Sequence, residues 1–356
     1  MGGMATSPTA FPDGTGNGRV RRHAPPWPVR HLKGSMPSGW CSPGFVCTRG
    51  DHAVASDIRI FVNANNFNEE RYLVFNQDVA HAVKRGEFSS GREHFKKHPH
   101  ERRIIGYDTA KYVSEVGLTT SLPPPELVML VNGHTDIIAY AASRRDAANQ
   151  IIEFMDGAGL QIADFKSIYD FGCGCGRILA GFENLLGEDV KLYGSDINPD
   201  LVRFAQQEIP FAEVALTGPM PPLPYATGQF DLIYSSSVYT HMSLPAMLQW
   251  TGEIARILRP NGIAMISHHG ASFADVLDGL SPEASRAVAE RGYYVHRHVK
   301  ENETWEGSND YATFASSDFM RSLFKGFDLV RIYPGISRSN PFSSRQDVIL
   351  FRRLDD

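Results

Sequence analysis

The stretch Asp170-Phe171-Gly172-Cys173-Gly174-Cys175-Gly176-Arg177 sets three glycines at alternate positions behind a carboxylate, and a second carboxylate, Asp196, follows Gly176 by 20 residues. Glycines where a strand turns into a helix let the backbone turn tightly and let a ligand approach the amides and the helix N-terminus without side-chain obstruction. Taken alone, such a cluster also fits an ordinary strand-to-helix turn. Asp196 adds weight to the ligand reading, because an acid ending the next strand can accept hydrogen bonds from ribose hydroxyls. Two details select the ligand. The spacing is G-x-G-x-G rather than G-x-G-x-x-G, and Asp170 stands two residues before the first glycine. A pyrophosphate would meet Asp170 as a like charge, whereas a nucleoside carrying ammonium and sulfonium cations would be attracted to it.

S-adenosylmethionine carries both cations. Methyl transfer from it is an in-line displacement at an already activated carbon, so a protein mainly has to align the acceptor atom. A hydroxyl acceptor benefits from a base, and histidine has the matching pKa. His241 in VYTHM is the first choice, with His268 and His269 in ISHHG as further candidates. Each has a plainer role available: His241 hydrogen-bonded to the backbone near Ser243 at a helix entry, His268 and His269 as polar residues at a strand end. Arg177 reads as structural. Cys173 and Cys175 alternate with glycines and read as small buried residues rather than a redox pair. Cys41 and Cys47, in CSPGFVC, lack a second pair or a histidine at metal spacing, so no metal is assigned.

The elements that must position these residues alternate. SIYDF (167–171) reads as a strand, followed by a helix from Arg177, strand VKLYGSD, a helix after Pro199, a short strand near AEVAL, strand FDLIYSS, helix LPAMLQWTGEIARIL and strand GIAMISH. Strands alternating with helices predict a parallel sheet covered on both faces. The chain then changes to helix SDFMRSLFKGF, strand DLVRIYP, a Gly/Ser/Asn loop and strand DVILFRR, which predicts a closing hairpin with one antiparallel strand. Before the alternation, residues 56–155 read as a helical extension: RYLVFNQDVAHAVKRG has helical period, as does PELVMLVNGHTDIIAYAASRRDAANQIIEFMDGAG after the stop signal Leu122-Pro123-Pro124-Pro125.

Four ordered motifs, DFGCGCGR, GSDINPD, FDLIYSSSVYTHM and RILRPNG, make residues 167–272 resemble the class I S-adenosylmethionine-dependent methyltransferase family. PPPELVMLVNG before this stretch and SRQDVILFRR after it look like a subgroup whose members often modify small metabolites or sugars. The resemblance implies an α/β Rossmann-like sheet of seven strands, mostly parallel with one antiparallel C-terminal strand, in a domain spanning 156–356. It puts Asp170 near the methionine amino group of S-adenosylmethionine, Gly172, Gly174 and Gly176 beneath the methionine part, Asp196 on the ribose and Ile197 beside the adenine. Ser235 and Ser236 would border the sulfonium side, with local loop capping as their alternative role. The chain departs from the family at Gly218-Pro219-Met220, where many members carry an acid for the adenine amine. PMPPLPY reads as a rigid connecting loop.

Composition narrows the partners. With 35 Lys and Arg against 40 Asp and Glu the net charge is -5, so no global basic field holds nucleic acid or an anionic membrane. The residues after the fourth core strand, SSSVYTHM, also lack the Asn-Pro-Pro-Tyr or Asp-Pro-Pro-Tyr sequence of nucleic-acid methylation. No apolar run approaches a membrane span, and four cysteines in 356 residues do not make a secreted disulfide framework. The expectation is a cytoplasmic enzyme acting on a small-molecule acceptor, with O-methylation of a sugar or secondary metabolite favoured and the oligomeric state open. A non-catalytic interaction module and a nicotinamide-dependent oxidoreductase are the competing classes. Residues 1–55, basic and rich in Gly and Pro, are expected to be a disordered tail; Pro25, Pro26 and Pro28 interrupt the helix that organelle targeting would need. The long insertion 270–315, with Tyr293, Tyr294, His296, His298, Trp305 and Tyr311, is expected to cover the substrate.

Overall fold

In the computed structural model, residues 58–270, 281–297, 306–307, 311–335, 342 and 345–355 are described. The expected tail, with Cys41 and Cys47, lies outside them, as do His298 and Trp305. The chain opens with β1 (Arg59–Phe61), α1 (Glu69–Phe75), α2 (Gln77–Lys84), α3 (Gly91–Lys97), β2 (Ile104–Tyr107), α4 (Thr109–Val116), α5 (Pro125–Asn132) and α6 (Ile137–Gly157). It continues through β3 (Ser167–Phe171), α7 (Arg177–Gly181), β4 (Lys191–Asp196), α8 (Pro199–Glu208), β5 (Ala212–Leu216), β6 (Phe230–Ser235), α9 (Leu244–Ile257) and β7 (Leu258–His268). After it come α10 (Pro282–Arg291), β8 (Tyr293–Arg297), β9 (Tyr311–Ala315), α11 (Ser317–Leu323), β10 (Phe327–Tyr333) and β11 (Asp347–Arg353).

Seven strands form one sheet in the order β10-β11-β7-β6-β3-β4-β5. Neighbours from β5 to β7 run parallel, and β11 is antiparallel to both β7 and β10. The doubly wound sheet with one reversed strand is the architecture read from the sequence. The order in which strands are laid down reverses between β3 and β6: β4 and β5 extend the sheet to one side of β3, and β6 and β7 to the other. Such a switch point opens a crevice outside the carboxyl ends of the strands, the usual ligand position in open α/β sheets.

Strand alternation sends successive side chains to opposite faces. Ile168, Leu232, Met265 and Leu350 meet Ile151 and Met155 of α6 and Ile178 and Leu179 of α7. Tyr169, Ile233, Ile266 and Phe351 meet Trp250 and Ile254 of α9 and Met320 and Leu323 of α11. Helix α6 therefore packs into the sheet's own core, and the boundary drawn at 155/156 falls inside its last turn.

Both long helical readings before residue 158 divide. Asn76, whose Nδ2 donates to the carbonyls of Tyr72 (2.8 Å) and Ile104 (3.1 Å), separates α1 from α2. Gly133, at φ 71°, ends α5, and Asp136 starts α6 by accepting from the amides of Ile138 and Ala139. The helical extension also contains an antiparallel β1-β2 pair that helical periodicity did not anticipate. A second unanticipated pair, β8-β9, forms within the insertion.

Candidate functional site

Strand β3 delivers Asp170 to its penultimate position, and the chain turns immediately over the end of β4: the amides of Gly172 and Cys173 both donate to the Ser195 carbonyl at 2.9 Å. Gly172 (φ 79°) and Gly174 (φ 57°) occupy the left-handed region, which side chains resist. A Cβ on Gly172 would collide with Val238, and one on Gly174 would lie 3.0 Å from Val131 of α5. Gly176 caps α7. The loop is thus a narrow backbone cradle walled by the segment after β6 on one side and by the N-terminal extension on the other.

Asp196 ends β4 beside this cradle. Its Oδ2 accepts from the Gly174 amide and its Oδ1 from the Asn198 amide, each at 2.9 Å. Burial raises its pKa, and the amides of Asn198, Gly174 and Ile197 oppose that rise by stabilising the carboxylate. Three amide bonds leave the carboxylate with acceptor capacity to spare. Asp170 is only 2 % exposed. It lies in register with Tyr234 on β6, and burial pushes its pKa up to about 8, against the pull of the Tyr234 hydroxyl and the Arg177 guanidinium. Arg177 itself bridges elements, donating to the carbonyls of Ser143 (3.2 Å) and Phe342 (3.4 Å). Cys173 and Cys175 are buried thiols pushed up by burial, Cys175 to about 11 beside the Tyr140 hydroxyl at 3.1 Å.

The other site residues sit on the same carboxyl edge. Ile197 is exposed. Ser235 is fully buried at the end of β6, and its Oγ has no hydrogen-bond partner among the described residues; Ser236 Oγ donates to the Phe342 carbonyl at 2.6 Å. His241 lies in the single turn after β6, and its Nδ1 is 3.1 Å from the Tyr311 carbonyl of β9. His268 Nδ1 meets the Ala315 carbonyl, again at 3.1 Å. Burial pushes His268 down to about 4, with the Asp347 charge opposing, and pushes His269 down to about 3, with the neighbouring His241 and His268 adding to the effect. A carbonyl only accepts, so in both His241 and His268 the Nδ1 carries the proton and Nε2 keeps the lone pair when the ring is neutral.

Described residues of the insertion meet this edge. Strand β9 meets His241 and His268, Glu306 Oε2 accepts from the Ser243 amide at 3.3 Å, and Gly307 rests against Ile197 and Pro219. Tyr311 is buried, Tyr293 and Tyr294 are half-buried and His296 is exposed. The PMPPLPY loop is tethered: the Pro219 carbonyl accepts from Trp250 Nε1 (3.1 Å) and the Leu223 amide donates to Glu253 (2.6 Å).

Two contributors escaped the sequence reading. Val131 closes on Gly174, and His134, at the α5-α6 turn, is exposed, accepts from the Asp136 amide at 3.1 Å and lies within electrostatic reach of Arg177. PPPELVMLVNG marked the segment but not its contact. In the N-terminal extension, His98, His100 and Glu101 bring donor atoms within 4.8 Å of one another. Glu101 is already ion-paired to Arg103 at 2.6 Å, and we assign no metal there.

Residues 168–262, from β3 into β7, match the family model described as a methyltransferase domain. The chain carries a class I S-adenosylmethionine-dependent methyltransferase domain. A curated relative, the biotin biosynthesis bifunctional protein BioHC of Cellvibrio japonicus, is 27% identical over 191 residues, covering 49% of this chain and 36% of that protein. The chain therefore spans about a third of the length of that relative. Among solved structures, an S-adenosylmethionine-dependent methyltransferase from Methanosarcina mazei matches at 17% identity and a TM-score of 0.41, over 53% of this chain and 93% of its own. The 1,6-didemethyltoxoflavin-N1-methyltransferase of Burkholderia thailandensis, solved with that substrate and S-adenosylhomocysteine, matches at 17% identity and a TM-score of 0.42, over 64% and 85%. No helix among the described residues is long and apolar enough to cross a membrane.

Proposed function

We propose that this protein transfers a methyl group from S-adenosylmethionine to the hydroxyl of a small molecule, a sugar or secondary metabolite. The observation that supports this reading best is the joined pair of Asp196 and the glycine cradle at the sheet's switch point, held by the 2.9 Å bond from Gly174. The cradle admits no Cβ at Gly172, and Asp170 and Asp196 offer carboxylates to an ammonium and to ribose hydroxyls, so the donor set fits the cofactor. When bound, S-adenosylmethionine supplies a methyl carbon on a positively charged sulfur. Gly172, Gly174 and Gly176 leave room for the methionine part, and Asp170 and Asp196 orient its two ends. Ile197, under Gly307, offers an apolar face to the adenine. Ser235 and Ser236 border the sulfonium side.

Of the three histidines, His241 is the first candidate for the base. Its Nδ1 hydrogen is committed to the Tyr311 carbonyl, which orients Nε2 to take the acceptor proton as the oxygen attacks. His268 and His269 are held neutral by burial, but values near 4 and 3 make them weak proton acceptors at neutral pH. Strand β9, packed beside His241 and His268, helps exclude water from this edge. The test is mass spectrometry of products after incubation with methyl-labelled S-adenosylmethionine and pooled cell metabolites. A labelled methyl on an acceptor oxygen is expected. Cofactor binding without transfer to any acceptor would favour an interaction module, and label on nitrogen or carbon would remove the hydroxyl assignment.

A further inference from the structure

Ser237 adopts φ 60°, in the left-handed region. Among the described residues the other non-glycine positions there are Asn184 and Asn261, and asparagine tolerates that conformation because its side chain bonds locally. Serine has less to gain from it, so something outside the loop must hold Ser237. Three hydrogen bonds do so in a closed circuit. The Ser237 amide donates to Ser267 Oγ at 2.8 Å, Ser267 Oγ donates to Gln346 Oε1 at 2.8 Å, and Gln346 Nε2 donates to Ser237 Oγ at 2.6 Å. Ser267 and Gln346 each accept one bond of the circuit and donate the next. Gln346 is 5 % exposed and Ser267 fully buried, so water does not easily replace a missing partner.

The rest of the loop hangs from this point. The Ser237 carbonyl accepts from Thr240 Oγ1 at 2.7 Å, the Val238 carbonyl accepts from the His241 amide at 3.0 Å, and the Val238 side chain closes on Gly172. We propose that Gln346 is a positioning residue: through Ser267 it locks Ser237 in the left-handed conformation and so sets both the Val238 wall of the glycine cradle and the turn that presents His241. The proposal rests on the functional reading above. It gives the residue just before the reversed strand β11 a task at the carboxyl ends of β6 and β7.

The experiment uses the full chain, with S-adenosylhomocysteine as the calorimetric probe and melting temperature measured alongside. Gln346→Leu takes the acceptor from the Ser267 hydroxyl and the donor from Ser237 Oγ, and should weaken probe binding roughly tenfold. Adding Ser237→Gly, which adopts the left-handed conformation unaided, should restore affinity to within about threefold of the native chain, because glycine removes the need for the circuit. A role in packing alone predicts no such rescue. A double variant that binds as weakly as Gln346→Leu, or a single variant that binds like the native chain, overturns the proposal. If Gln346→Leu does not fold, Gln346→Met, unbranched and closer to glutamine in shape, likewise removes both polar groups facing Ser237 and Ser267, and the same rescue is expected. A native chain that does not bind S-adenosylhomocysteine removes the cofactor reading, and this inference with it.

Discussion

The proposed pairing of Asp170 with the cofactor's ammonium makes binding a proton-releasing event. With a pKa of about 8 in the free protein, its carboxyl is about nine-tenths protonated at pH 7. An ammonium placed beside it favours the carboxylate, and the proton leaves as the ligand enters. About 0.9 proton should therefore be released per S-adenosylmethionine bound at pH 7, and affinity should rise roughly tenfold per pH unit between about pH 5.5 and 7. That window lies below the titration of the ligand's own α-amine, at about 7.7 to 8.0. The sign for folding is the opposite. The folded value lies above the unfolded one, so the native state holds the extra proton, and the free protein loses that stabilisation as pH rises from about 4 to about 8. The assay is calorimetry at pH 7 in two buffers of different ionisation enthalpy, in which the slope of observed heat against buffer enthalpy counts protons. Asp170→Asn should bind more weakly and give a slope of zero. A zero slope in the native protein, or affinity that falls with pH below 7, would refute the reasoning.

Asp196→Ala removes the acceptors for the ribose hydroxyls and should weaken S-adenosylmethionine binding by about ten- to a hundredfold, the equivalent of roughly 1.5 to 3 kcal/mol; an unchanged dissociation constant takes Asp196 out of the site. Gly172→Ala forces a Cβ into Val238 from a left-handed backbone and should lower stability by about 1 to 3 kcal/mol, read as the shift in a denaturation midpoint. His241→Asn keeps a donor near the Nδ1 position for the Tyr311 carbonyl but removes Nε2. With an acceptor in hand, turnover should fall by about 10² to 10⁴ while cofactor affinity and melting temperature hold, and survival of the neutral-pH limb of the rate profile would point away from His241.

Much of the sheet was readable because its information is local. SIYDF, AEVAL and DVILFRR are short apolar runs with strand propensity, and the observed strands Ser167–Phe171, Ala212–Leu216 and Asp347–Arg353 coincide with them. The glycine motif carried its own signature. What escaped depends on contacts between distant residues. Gly133 and Asp136 are helix stop and start signals that could have split the long reading before α6, whereas Asn76 breaks its helix partly through a bond to Ile104, 28 residues away. YYVHR and YATFA have strand-like composition, but their pairing across the insertion is not written in either segment. Gln346 is invisible to motif reasoning for the same reason: its partners, Ser237 and Ser267, lie 109 and 79 residues off in sequence.

The segment that resembles other methyltransferases is not the segment that can stand as a fold. Residues 168–262 include the glycine cradle and Asp196 but leave out α6, α11 and both strands of the closing hairpin. Those elements contribute Ile151, Met155, Val348 and Leu350 to one face of the sheet and Met320, Leu323 and Phe351 to the other. At roughly 1.5 to 3 kcal/mol for each buried apolar side chain, their removal forfeits about as much as the whole net stability of a domain, roughly 5 to 15 kcal/mol. Excised alone, the recognisable motifs would be a sticky half-sheet. The matched stretch holds the residues proposed for the ligand, while the cover of both sheet faces comes in large part from chain on either side of it.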